Sequence, residues 1–133
     1  MTSQSLDHIR MVSLALTGCV CLTYAVLVLA TGQPDPMPVW IPGVAGLLAL
    51  VTIWTSVAVS DTKSIEASFD EGFRADDGKA QKLGFWVAVW LYPVFGVPLY
   101  LEWITGFSAI AAMGTLTAAA YLLGTVVFDL RGR

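Results

Sequence analysis

Four uncharged stretches, at residues 11–34, 36–60, 83–101 and 103–128, take up most of the chain, and the one extended polar interruption lies at 61–82. Each stretch exceeds or approaches the roughly 20 residues that carry a helix across a bilayer core. None alternates apolar with polar positions, and all are rich in Ala, Leu and Gly, which argues for helix and against strand. The pattern predicts spans over residues 11–31, 40–60, 83–101 and 106–128. Short links pair them into two hairpins, and the connector 61–82 joins the pairs. The expected fold is an all-α integral membrane four-helix bundle, with residues 1–133 forming one transmembrane domain.

Composition agrees with this pattern. Hydrophobic residues make up 56% of the chain, the mean hydropathy is +0.72, and charged residues are only 13%, against about 25% in an ordinary soluble domain. A soluble fold of this length leaves too much of its surface in water to hide so many apolar side chains. The connector holds six of the ten acidic and four of the seven basic residues. There is no basic tract for nucleic acid and no polybasic run for anionic lipid. The first apolar stretch is longer than the core of a signal peptide and lacks a small-x-small cleavage site, so a retained helix is expected. Arg10, Lys63, Arg74, Lys79, Lys82, Arg131 and Arg133 all fall on one side of a four-span topology. The positive-inside rule makes that side cytoplasmic, placing both termini inside a multi-pass protein of the inner (plasma) membrane.

Along the chain, residues 1–10 read as a frayed polar lead, with Asp7 lacking a partner within reach and His8 solvated. In span one Ser13, Thr17, Cys21 and Ala25 form a ridge of small residues with Gly18 beside it, suited to close helix approach in lipid. Cys19 and Cys21 lie too close in sequence to bridge within a helix and read as packing thiols. Pro34, Pro36 and Pro38 stiffen the first outer link, and Trp40 marks an interface. Gly43, Gly46 and Ala49 give span two a narrow face. In the connector Ile65, Phe69 and Phe73 recur every four residues, as in an amphipathic helix lying on the membrane surface with an Asp70–Arg74 pair. Asp76 and Asp77 are the expected caps of the helix entering span three. Pro93 and Pro98 predict a kink in that span, freeing the carbonyls of Val89 and Val94. Gly106, Gly114 and Ala118, with a parallel row of Ala111, Thr115 and Ala119, form the ridges of span four. The expected packing set is Ser13, Thr17, Gly18, Gly46, Gly114 and Ala118.

From Asp70 to Phe128, the motif Asp70, Glu71 and Arg74, followed by Lys79, Lys82 and the pair Phe85-Trp86, resembles a group of small bacterial four-helix inner-membrane proteins of unknown function. There an Asp-Glu-x-x-Arg helix leads into the third span. The resemblance implies architecture and no activity.

Chemistry is sparse. No Asp, Glu, Lys, Arg or His falls inside a predicted span, whereas proton-coupled transporters and pumps need an intramembrane ionisable group. The dyads of intramembrane proteases are missing as well. No catalytic residue, metal site or cofactor is therefore expected, and the chain does not read as an enzyme. The connector carboxylates do not fit the calcium-loop template, and Asp70, Glu71 and Arg74 read as a handle for a cytoplasmic partner. Counting inward at 1.5 Å per residue, Trp54, Trp90 and Tyr121 all lie about 10 Å deep, level with Gly18, and Trp86 is one turn from Trp90. Such an aromatic layer suits a flat hydrophobic ligand such as a quinone, carotenoid or lipid. Two readings stay open: an accessory or regulatory subunit that packs against a membrane complex or a second copy of itself, and a carrier for a hydrophobic small molecule. A channel formed by oligomerisation is a third.

Overall fold

A computed structural model of the chain describes residues 2–33 and 36–132. Pro34 of the proline-rich link and Arg133 lie outside the described residues. Five helices follow one another: α1 (Ser3–Thr31), α2 (Trp40–Val59), α3 (Thr62–Ser68), α4 (Glu71–Tyr100) and α5 (Gly106–Gly132). All but α3 are long and apolar enough to cross a membrane. The ends facing the two short links fall within one residue of expectation, at Thr31, Trp40, Tyr100 and Gly106. The other ends depart from it. Residues 3–10 are not a frayed lead but the first turns of α1, which Thr2 caps by accepting a hydrogen bond from the Ser5 N–H at 3.3 Å.

The connector differs more. Ile65, Phe69 and Phe73 do not share one surface helix, because α3 stops at Ser68 and α4 starts at Glu71. Asp70 makes the break. Its backbone is extended (φ −65°, ψ 179°) and its carboxylate accepts from the Phe73 N–H at 2.9 Å, satisfying one of the orphan donors at a helix start. Asp76 and Asp77 therefore sit inside α4 rather than capping it, and Asp76 pairs with Lys79 at 2.5 Å. The helix runs without interruption through Pro93 and Pro98 to Tyr100.

The long helices lie side by side in the order α2, α1, α5, α4, so each predicted hairpin forms and the two meet along α1 and α5. Small residues set the spacing. A Cβ at Gly18 would come within 2.8 Å of Leu123, one at Gly84 within 3.2 Å of Tyr121, and one at Gly124 within 3.1 Å of Leu83. On the other flank of α1, Thr17 is buried and lies against Ala45 and Gly46 of α2. The core towards the link end gathers Tyr24 and Val28 of α1, Phe95 of α4, and Ala109 and Ala112 of α5, where two alanines leave room for two rings. Of the two predicted α5 rows, Ala119 is buried within the bundle, alongside Ala109, Ala112 and Gly124, while Gly106 and Gly114 face open space. Small residues occur all round this helix, so their spacing does not select a face. Cys21 is buried as expected, whereas Cys19 is exposed.

Both links reverse direction through a left-handed residue. Gly32 (φ 63°) closes α1, its N–H returning to the Val28 carbonyl at 3.1 Å. At the end of α4 the same role falls to Glu102 (φ 58°). Its N–H bonds the Leu99 carbonyl at 3.2 Å, and the Trp103 N–H bonds the Pro98 carbonyl at 2.9 Å. That pair of bonds is the Schellman closure, in which glycine is the usual left-handed residue.

Candidate functional site

At the end of the helices where the termini and connector meet, Arg10 is buried, with only 3% of its surface exposed. Its Nη1 donates to the Ser68 carbonyl at 2.5 Å and to the Ser68 hydroxyl at 3.3 Å. That carbonyl belongs to the last residue of α3, which has no intrahelical partner and attracts a cation. Nη2 lies 3.4 Å from the Asp7 carboxylate, one turn back on α1, and 4.0 Å from Asp129 near the end of α5. The Ser68 hydroxyl donates in turn to Asp7. The guanidinium also stands over the Phe73 ring at 3.8 Å and the Phe69 ring at 5.1 Å, and the two rings meet edge to face. One side chain thus ties α1 to α3, α5 and the start of α4.

The arrangement braces one end of the bundle. Burying a guanidinium is costly unless it is both paired and hydrogen-bonded, and here two carboxylates, a carbonyl, a hydroxyl and two ring faces share that task. A cleft of about 290 Å³ opens beside it, lined in part by Asp70, Asp76 and Asp129. Among the described residues, no group of three or more His, Cys, Asp or Glu side chains is placed to hold a metal ion. A second tie lies next to it, where the Tyr121 hydroxyl of α5 donates to Asp77 of α4 at 2.8 Å.

The sequence reading missed this cluster. Asp7, expected to stand alone, is bound to Arg10 and Ser68, and Arg10, read only as a topology signal, is its centre. Apart from the Asp7–Arg10 pair, the contacts of Arg10 and Asp7 join residues 58 or more positions apart, so no helical period links them. The lone readable hint was an Asp–Arg pair three residues apart at the start of an apolar helix.

The aromatic residues chosen by depth are not gathered into one chamber. Trp54 is 77% exposed on α2, while Trp86 and Trp90 are 58% and 65% exposed on α4. These two helices occupy opposite ends of the row. Tyr121 is half-buried and committed to Asp77. Equal depth fixes height along the bundle but not the direction a side chain takes, and here the indoles point away from the shared core. Of the expected packing residues, Thr17 and Gly18 are buried, Ser13, Gly46 and Ala118 are half-buried, and Gly114 is exposed. Asp70, Glu71 and Arg74 are exposed.

Two further clefts lie away from the charged end. An apolar groove of about 450 Å³ between α4 and α5 is lined by Tyr92, Phe95, Gly96, Leu99, Met113 and Gly114 among others. At the link end a cleft of about 390 Å³ lies between the close of α1 and the α4–α5 turn, and it includes Gly32, Glu102, Trp103, Thr105 and Ser108. Comparison with known proteins finds no matching family model, curated protein or solved structure.

Proposed function

We propose that this chain is a non-catalytic integral membrane protein of the plasma membrane, with both termini cytoplasmic, which works by packing its helices against a membrane complex or a second copy of itself. The four long apolar helices and the confinement of every described Lys and Arg to one end support the membrane placement. The observation that carries the packing role is the groove between α4 and α5, where Gly96 and Gly114 both face open space. In lipid, exposed small residues are where another helix can bring its backbone close. Replacing Gly114 by Leu fills that space without touching the chain's own core. Native mass spectrometry from lipid nanodiscs should then show the assembly reduced to a folded monomer. An unchanged assembly would sink the proposal.

The same groove supports a second reading, a carrier for a hydrophobic small molecule such as a quinone, carotenoid or lipid. Its lining is almost wholly apolar and its volume suits part of such a ligand. The support comes from this groove and not from Trp54, Trp86 and Trp90. In the same spectra this reading predicts a bound small molecule on wild-type monomers that disappears in Gly114→Leu.

A further inference from the structure

We infer that the cleft at the link end is a binding site for an ammonium group at the membrane surface, with Glu102 as its anion and Trp103 as its aromatic wall. The inference rests on four observations. Glu102 holds a left-handed backbone (φ 58°), although it is not glycine, a conformation that crowds the Cβ of an L-residue. It also sits at the carboxyl end of a 30-residue helix, where the helix dipole disfavours negative charge. Among the described residues no cation lies near either placement in sequence, since there is no Lys or Arg between positions 10 and 63 or between 82 and 131, and the one His is residue 8. Finally, Glu102, itself exposed, is one of the residues lining the cleft of about 390 Å³ at this end.

The rest of the cleft fits a small cation. Gly32, the other left-handed residue, lines the same cavity, and a Cβ there would project into empty space. Trp103 is 75% exposed, which leaves its ring face available for a cation–π contact. Thr105 and Ser108 hydroxyls stand 2.9 Å apart, and Thr105 also accepts from the Ser108 N–H at 3.2 Å. The amino end of α5 is thereby capped from within, and the charge left unmatched in the cleft is the Glu102 carboxylate. An ammonium entering beside it gains the ion pair and the ring contact together. The ammonium belongs either to a lipid headgroup, as in phosphatidylethanolamine, or to a free amine.

The test uses the full chain in nanodiscs of mixed phosphatidylethanolamine and phosphatidylglycerol, with retained lipid read by native mass spectrometry. Wild type should retain phosphatidylethanolamine over phosphatidylglycerol by about tenfold, the ratio that about 1.4 kcal/mol of ion-pair and cation–π energy produces. Glu102→Gln should abolish that preference. Glu102→Gly should abolish it too while melting at a higher temperature in phosphatidylglycerol alone, since glycine relieves the left-handed backbone. In that second lipid, added ethanolamine should raise the melting temperature of wild type but not of Glu102→Gln if a free amine suffices. A response to the lipid alone would assign the site to headgroups. Equal retention by wild type and Glu102→Gln, together with no ethanolamine response, would overturn the inference. Because none of these readouts depends on self-assembly, the result stands apart from that of Gly114→Leu.

Discussion

Beyond Arg10, α1 is as free of charged residues as α2, yet α1 buries eight residues and α2 buries none. Hydrophobicity does not separate them. The difference lies in two neighbouring small residues, Thr17 and Gly18, which stand about 100° apart around the helix axis. Thr17 faces α2, bonding the Ala45 carbonyl at 3.4 Å, while Gly18 faces Leu123 of α5. A helix that is narrow on two flanks takes the middle of the row. One that is narrow on a single flank takes the edge, and its remaining surface meets the solvent or a partner. When every side is apolar, side-chain size assigns the place that polarity assigns in water-soluble bundles.

The contrast can be broken most severely at Arg10. Alanine there leaves Asp7 and Asp129 facing each other without their shared cation, and removes the hydrogen bonds that hold the end of α3. The expected loss is about 3 kcal/mol, read by denaturant titration in micelles. An unfolding midpoint equal to wild type would show that the brace contributes nothing net. Next comes Gly18→Leu, which drives side-chain atoms into Leu123 and should cost about 2 kcal/mol. The same change at Gly43 of α2, where nothing lies within 4 Å, should stay within about 0.5 kcal/mol. Equal effects at 18 and 43 would erase the distinction between central and edge helices. The smallest effect is expected from Tyr121→Phe, which loses one hydrogen bond to Asp77 and about 1 kcal/mol. Its consequence should be local, with faster amide exchange at the start of α4 and none in α2.

Much of this architecture was legible because long uncharged windows leave few alternatives. The link-facing ends of the helices at Thr31, Trp40, Tyr100 and Gly106 were found that way. The break at Asp70 was harder. Ile65, Phe69 and Phe73 keep a helical period straight across it, and three later or adjacent acidic residues compete as caps, so periodicity hid a boundary that a single carboxylate creates. The Arg10 brace was invisible for another reason. It joins side chains from the first, third and last helices, and only packing brings those together. Depth counting likewise set the heights of Trp54 and Trp90 without their bearings, because rotation about each axis follows from which neighbour offers a narrow face.

That α1 pairs with α5 has a consequence for how the protein is made. Synthesis delivers the first hairpin well before the last helix exists. During that interval the flank carrying Gly18, Cys21 and Ala25 has no mate, and the guanidinium of Arg10 waits for the carboxylate of Asp129. The nascent chain therefore carries an open seam until α5 has been made. Helix α5 must then slide in beside α1, which left the ribosome four helices earlier.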